Sequence, residues 1–321
     1  MKAKDLRNLI RFISAFAILI PSSDIVVAER VVTVATIGNS PSELKSENKQ
    51  EIVNHVIAFW EKELKQVLPD KPDLIVLPEF CDLSGEGEDY LRVRKNQVLD
   101  YFSSVAKDNH CYITFGTKRE EREGLWRNSC VVIDRNGGIA GIYNKNFPTI
   151  GEMESGIQAC DEAPVIKCDF GRVAIAICYD LNFDELRMRY VKEKPDMIIF
   201  SSMYHGGVAQ SIWAYSCRAY FVGSVYRPTP SEIRNPMGQV VASSTNYFDF
   251  AVARTSSDFD HYCSVRISPE WGCCSADFSA PRCPRCTSLT SARGTHGRFA
   301  VMAGRRAARC RGAVAGVDVA Q

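Results

Sequence analysis

The stretch Gly171-Arg-Val-Ala-Ile-Ala-Ile-Cys178-Tyr-Asp-Leu-Asn-Phe-Asp-Glu-Leu-Arg187 decides the fold of this 321-residue chain. Its apolar run, 173–177, is typical of a buried strand. The strand ends abruptly at Cys178, and the spacing of apolar residues predicts a helix over 183–194, which Pro195 ends. A buried strand that leads directly into a helix indicates an α/β unit.

Cys178 lies at the carboxyl end of this strand, where the backbone N–H groups of the following segment face its thiol. Such N–H groups lower the pKa of a thiol and stabilise an oxyanion. This placement favours a nucleophile. The alternative is that Cys178 is a small apolar residue that fills a strand end, as a free cysteine commonly does. This stretch alone leaves both interpretations open.

The rest of the first 258 residues alternates between strand and helix patterns. Strands are predicted at Val31–Ile37, 73–77, 111–116, 128–133, 139–143, 197–200, 222–226, 239–242 and 250–253. Helices are predicted over 46–68, 89–107 and 208–221. Asn136-Gly137 predicts a tight hairpin turn. These elements indicate an α/β (α+β) fold, a mixed sheet covered by helices.

The two ends of the chain differ from its centre. Basic residues precede the apolar run 12–20, and Pro21 follows it, so residues 1–28 are predicted to be a signal peptide. The protein would then be extracytoplasmic, periplasmic or secreted; the alternative is a retained leader on a cytoplasmic enzyme. Residues 261–321 contain six cysteines and nine arginines but no lysine, and an atypical, poorly structured tail is predicted there. Its Cys283-Pro-Arg-Cys286 leaves a redox or zinc protein as a minor alternative.

The composition excludes some classes of function. A net charge of +1 gives no argument for binding nucleic acid. No apolar run is long enough to form a stable membrane span in the mature protein. The central region is long enough for one domain with a sizeable core, predicted over 31–258.

Two charged residues follow apolar strands in the same way as Cys178. Glu79 comes after the strand 73–77, and Lys145 comes after the strand 139–143. Because strand ends on one edge of a sheet converge, these three side chains are predicted to meet. The carboxylate can accept the thiol proton, and the ammonium can stabilise an oxyanion. Among the histidines only His205 falls in a plausible substrate loop, so a Cys–His arrangement is weakly supported.

These motifs resemble those of the nitrilase superfamily of carbon–nitrogen hydrolases. The matching segments are Leu77-Pro-Glu79-Phe80, Tyr143-Asn-Lys145-Asn146 and Ile177-Cys178-Tyr-Asp180. The family carries a second glutamate shortly after the lysine, and in Gly151-Glu-Met-Glu154-Ser155 the residue before the serine, Glu154, is taken as the match. The resemblance covers about residues 31 to 258.

The resemblance implies a four-layer α-β-β-α sandwich with two mixed sheets. It implies that Glu79 deprotonates Cys178, that Lys145 and the Tyr179 N–H hold the oxyanion, and that Glu154 holds Lys145 or the substrate. Neither a metal nor an organic cofactor is implied. The implied substrate is a small amide or N-carbamoyl compound, less readily a nitrile, and the implied assembly is a homo-oligomer. Candidate substrate-binding residues are Tyr179, Asn182, Met203 and His205. The alternative is a non-catalytic binding protein that keeps the fold.

Overall fold

Two six-stranded mixed sheets form the centre of the computed structural model, which describes residues 31–83 and 87–256. The first sheet has the order β12-β1-β2-β3-β4-β5 and the second the order β11-β10-β9-β8-β7-β6. The strands are β1 (Val31–Ile37), β2 (Leu74–Val76), β3 (Tyr112–Arg122), β4 (Leu125–Ile133), β5 (Ile139–Asn144), β6 (Ile166–Cys168), β7 (Gly171–Ile177), β8 (Met197–Ser202), β9 (Tyr220–Val225), β10 (Glu232–Arg234), β11 (Val240–Ser243) and β12 (Phe250–Ser256).

Helices cover the outer face of each sheet. The helices are α1 (Lys49–Val67), α2 (Glu88–Arg94), α3 (Gln97–Asn109), α4 (Ile150–Glu154), α5 (Asp184–Glu193) and α6 (Ala209–Cys217). Trp60 of α1 and Phe102 of α3 pack together on the first sheet. Tyr190 of α5 and Trp213 of α6 pack together on the second. The layers are therefore α-β-β-α, as predicted.

The core between the sheets follows from the period of the strands. In β1, Val32 and Val34 join the core that faces the second sheet, whereas Ala35 and Ile37 join the core under the helices. Successive side chains of a strand point to opposite faces, and both faces are covered here. This explains why β7 is apolar at five successive positions, 173–177, all of them buried.

Buried hydroxyls connect the two sheets near their functional edge. Ser201 Oγ of β8 donates to the carbonyl oxygen of Leu77, 2.9 Å away, just beyond β2. In the parallel pairing of β7 with β8, Ser201 lies opposite Ile177. The hydrogen bond between Ser201 and Leu77 therefore holds Ile177, which precedes Cys178, close to the segment that leads to Glu79.

Several boundaries differ from the predictions. The helix predicted over 89–107 is two helices, α2 and α3, because Lys95 has a positive φ of 42° and a ψ of −118°, which end the first helix. The helix predicted over 208–221 ends at Cys217, because Arg218 is in the left-handed conformation, and β9 begins at Tyr220. Three short elements, α4, β6 and β10, were not predicted, since three to five residues carry too little periodicity. The predicted hairpin turn is present, with Gly137 at a φ of 81°.

The leader predicted over 1–28 and the tail predicted over 261–321 lie outside the described residues. Within the described part of the chain, none of the helices combines the length and the apolar character that a membrane crossing needs.

Candidate active site

Cys178 occupies a sharp turn between β7 and a 3₁₀-helix, Cys178–Asn182. Its φ is 47°, in the left-handed region that a residue with a side chain rarely adopts. Such strain persists only where the surroundings hold it, and it is concentrated at functional sites. The turn directs the half-buried thiol away from the strand and towards the residues that end the first sheet.

Glu79 reaches the same place from the first sheet. Its segment lies directly against β3, where the N–H of Gly116 donates to the Pro78 carbonyl at 3.0 Å. A Cβ at Gly116 would stand 2.5 Å from the Cα of Glu79, so this approach requires a glycine. The Glu79 side chain is 1% exposed.

Lys145 follows β5 and is equally buried. Its backbone N–H donates to the Asn128 carbonyl at 2.8 Å, which continues the β4–β5 pairing beyond the strand. Its ammonium Nζ donates to Glu79 Oε1 at 2.9 Å and to Glu152 Oε2 at 2.8 Å. The predicted convergence of Glu79, Lys145 and Cys178 on one edge is therefore what the structure contains.

The structure places Glu152, and not the expected Glu154, against Lys145. The carboxylate that contacts Lys145 is that of Glu152, whereas Glu154 is exposed at the end of α4. Thr149 and Glu152 form a capping box, in which the Thr149 N–H donates to Glu152 Oε2 at 2.7 Å. The capping geometry turns the third residue of the helix inward and the fifth outward. The sequence Thr149-Ile-Gly-Glu152 is the pattern that would have identified it.

The charges of this cluster stabilise one another. Burial works against the charge of Lys145, but the negative charges of Glu79 and Glu152 raise the pKa of its ammonium. Burial also opposes the charge of Glu152, yet the adjacent Lys145 lowers the pKa of its carboxyl below the ordinary value. The pair is therefore an ammonium and a carboxylate at neutral pH.

The pKa of the Cys178 thiol is raised, although backbone N–H groups were expected to lower it. Burial and then the negative charge of Glu79 raise the pKa of the thiol to about 12. Lys145, the Met203 N–H and the Ser202 hydroxyl act in the opposite direction and do not outweigh these two causes. The resting thiol is therefore protonated at neutral pH, and a base must take its proton as it attacks.

Asp180 is a further buried residue beside the site, and the sequence reasoning gave it no role. It is fully buried, and its Oδ2 accepts hydrogen bonds from the Ile177 N–H at 3.0 Å and the Tyr143 hydroxyl at 2.8 Å. Its Oδ1 accepts from the Phe147 N–H at 2.8 Å. One carboxyl thus ties the turn that carries Cys178 to the segment that carries Lys145. Burial raises the pKa of Asp180 to about 6, against the effect of these donors.

The four predicted substrate-binding residues divide into two groups. Tyr179 follows Cys178 at the start of the 3₁₀-helix, where N–H groups have no partner within the helix, and Met203 donates its backbone N–H to Glu79 Oε2 at 3.2 Å. These two border the thiol. Asn182 is exposed and donates to the Tyr179 carbonyl. His205 uses one ring nitrogen for Glu232 and the other for the Gly207 N–H, which leaves no ring nitrogen free for a substrate.

A cleft of about 510 Å³ adjoins the cluster. Phe80, Leu83, Leu91 and Ile157 supply its apolar wall, and Thr149 and Glu152 connect it to Lys145. Among residues 31–83 and 87–256, no three His, Cys, Asp or Glu side chains converge as metal ligands would. Cys283 and Cys286 lie outside those residues.

A thiol, a carboxylate and an ammonium at converging strand ends of an α-β-β-α sandwich define a protein of the nitrilase superfamily. Comparison with known families agrees. The profile of the carbon–nitrogen hydrolase family matches residues 33–222, and the chain belongs to that family.

Curated relatives are distant. The chain is 24% identical over 194 residues to omega-amidase NIT2 of Xenopus tropicalis, a match that covers 56% of this chain and 70% of the relative. It is 24% identical to a deaminated glutathione amidase of Dictyostelium discoideum, over 47% of this chain and 59% of the relative. Three of the curated relatives are matched over only 50–59% of their length.

Solved structures share the fold. A carbon–nitrogen hydrolase from Helicobacter pylori superposes with a TM-score of 0.61 at 16% identity, covering 78% of this chain and 97% of the other. Nit3 of Saccharomyces cerevisiae superposes with a TM-score of 0.60 at 18% identity, covering 74% and 96%.

Proposed function

We propose that this protein hydrolyses the carbon–nitrogen bond of a small amide or N-carbamoyl compound through a thioester on Cys178. The observation that carries the proposal is the contact of Lys145 Nζ with both Glu79 and Glu152 beside a protonated thiol. The arrangement provides a base and a cation for a nucleophile that needs both.

In the acylation step, Glu79 takes the proton of Cys178 while the sulfur attacks the carbonyl carbon. Lys145 and the Tyr179 N–H stabilise the oxygen as it becomes negative. The carbon–nitrogen bond then breaks, and Glu79 returns the proton to the departing nitrogen. An amide substrate with a primary nitrogen thus gives ammonia and an acyl group on sulfur.

In the deacylation step, the ionised Glu79 activates a water molecule, which attacks the thioester carbon. The carbon–sulfur bond breaks, the acid leaves, and the proton from water restores the thiol. Glu152 keeps Lys145 charged and in place through both steps, because it accepts one of the ammonium hydrogens at 2.8 Å.

The names of relatives favour amides over nitriles as substrates. Relatives in this family carry the names omega-amidase and deaminated glutathione amidase. The cleft of about 510 Å³ beside Glu152 has room and an apolar wall for a small substrate of either class.

The test is the incubation of the purified chain with a panel of amides, ureides and nitriles. Ammonia release and a mass increase of one acyl group on Cys178 are expected with at least one amide or ureide. Neither release nor adduct across the panel would favour the alternative, a binding protein that keeps the fold without turnover.

We further propose that the chain forms a homo-oligomer. Met188 of α5, and Ile212 and Tyr215 of α6, expose large apolar side chains on the outer face of the second sheet. A second copy could cover them. Sedimentation of the wild type should then show a dimer or larger species that Ile212→Glu weakens, and a monomer at all concentrations would contradict this. Export through residues 1–28 stays a prediction, which N-terminal sequencing of native material would test.

A further inference from the structure

Asn128 of β4 touches every charged member of the cluster on the first sheet. Its side chain is fully buried. The amide Nδ2 donates to Glu79 Oε1 at 2.7 Å and to Glu152 Oε1 at 2.6 Å. Its backbone carbonyl accepts the Lys145 N–H at 2.8 Å. Glu79, Lys145, Glu152 and Asn128 thus form a closed ring of hydrogen bonds.

An amide fits this position for a chemical reason. Carboxylate oxygens only accept hydrogen bonds, so the amide must turn its NH₂ group towards both glutamates. The NH₂ group has two hydrogens, one for each carboxylate, and adds no charge. Asn128 Oδ1 is then left buried without a hydrogen-bond partner among the described residues. An unpaired buried acceptor lowers stability, which a purely structural residue would avoid.

The ring also distinguishes the two oxygens of Glu79. Oε1 is occupied by Asn128 and Lys145. Oε2 accepts the Met203 N–H at 3.2 Å, and the same N–H also faces the sulfur of Cys178. Since Oε2 and the sulfur share one donor, they are neighbours. Oε2 is therefore the oxygen placed to receive the thiol proton.

We propose that Asn128 is a positioning residue, which holds Glu79 and Glu152 side by side and presents Glu79 Oε2 to Cys178. Only the expected loss of turnover rests on the proposed function; the placement of Glu79 does not. Without the Asn128 donor, Glu79 Oε1 keeps only Lys145, and the carboxylate is free to rotate away from the sulfur. Among the described residues, the titratable groups around Glu79 include Lys145, Cys178 and Tyr226. Glu152 also lies beside it, because it shares the Asn128 amide and the Lys145 ammonium with Glu79.

The test uses Asn128→Leu, which removes both donors, and Asn128→Asp, which keeps the shape and adds a carboxyl. Ser129→Ala is the matched control, because Ser129 is a buried neighbour on β4 that donates only to the Asn144 side chain. Thermal unfolding of all variants checks the fold. If Asn128→Leu does not fold, Asn128→Asp carries the test.

Two readouts separate positioning from activity. The first is the rate at which methyl methanethiosulfonate labels Cys178 between pH 4 and pH 8, which needs no substrate. We expect labelling to become at least about threefold faster in both Asn128 variants, because Glu79, whose charge raises the pKa of the Cys178 thiol, is no longer held beside the sulfur. The second is turnover, in which kcat should fall at least about 30-fold with KM within about threefold.

An unchanged labelling profile in a folded Asn128 variant would overturn the proposal, whatever the turnover. If the profile changes in the Asn128 variants but the wild type turns over no substrate, Asn128 remains a positioning residue and the proposed function is wrong. An equal change of labelling in Ser129→Ala would also overturn the proposal, since it would show that loss of any buried polar group on β4 has this effect.

Discussion

Lys145 Nζ lies 2.8 Å from Glu152 Oε2, and this contact makes Glu152 the second carboxylate of the site. Glu154 stands only two residues further along α4, yet it is exposed. The difference of two positions on a helix is about 200°, which carries a side chain from one face to the other.

The two glutamates provide a matched pair of variants. Glu152→Gln removes the charge that holds Lys145, and we expect kcat/KM to fall about 100-fold, the scale for loss of a group that supports an oxyanion donor. Glu154→Gln makes the same chemical change at an exposed carboxylate, and its kcat/KM should remain within about twofold of the wild type. Steady-state kinetics on one amide measures both. An equal loss of kcat/KM in the two variants would contradict a specific role of Glu152 in holding Lys145.

Cys178→Ala should abolish turnover and leave the fold intact, because the thioester intermediate cannot form without the thiol. Cys160→Ala is the control, since Cys160 is also a half-buried free cysteine but is not part of the cluster. Ammonia release and intact-protein mass after incubation with substrate are the measurements. Hydrolysis that persists in Cys178→Ala would sink the assignment.

The thiol of Cys178 should titrate far above an ordinary cysteine. Because its pKa is raised to about 12, labelling by a neutral reagent should rise about tenfold per pH unit from pH 8.5 to 10, with no plateau near pH 9. A free cysteine peptide, with a reference pKa of about 8.5, levels off in this range. Glu79→Gln removes the second cause of the raised pKa, so it should speed labelling at pH 10 while it lowers turnover. Slower labelling at pH 10 in Glu79→Gln would contradict this electrostatic account.

Asp180 should couple stability to pH. The pKa of its carboxyl rises from 3.8 to about 6 on folding, so the folded protein binds a proton that the unfolded chain has released. Stability from this group is therefore present below pH 4 and is lost as the pH rises through 6, by up to about 3 kcal/mol. Asp180→Asn does not titrate. The unfolding free energy of the wild type minus that of Asp180→Asn should fall between pH 4 and pH 7 in urea titrations, and a constant difference would refute the raised pKa.

The class of fold and three site residues could be predicted from the sequence. Glu79, Lys145 and Cys178 each follow an apolar run long enough to be recognised as a strand, and strand ends converge by the geometry of sheets. Glu152 could not be chosen over Glu154 by the same reasoning, because α4 has only five residues and its phase depends on the Thr149 cap.

The contacts of Asn128 and Asp180 could not be predicted from the sequence for a related reason. Both are polar residues within or beside apolar strands, and nothing in their neighbours along the chain distinguishes them from satisfied core residues. Their partners lie 24 to 49 residues away for Asn128 and 33 to 37 for two of those of Asp180. Only folding brings these atoms together.

The amino-acid sequence by itself determined a mixed sheet covered by helices and the positions of Glu79, Lys145 and Cys178 at strand ends, because period-2 and period-3.6 patterns are local properties of the chain. The four-layer arrangement and the expected roles of these three residues followed from the resemblance to a family. The tertiary structure decided which glutamate supports Lys145, that the Cys178 thiol rests protonated, and that one asparagine joins both carboxylates. Burial, net charge and hydrogen-bond direction at a point in space depend on every segment that meets there, and no single segment carries that information.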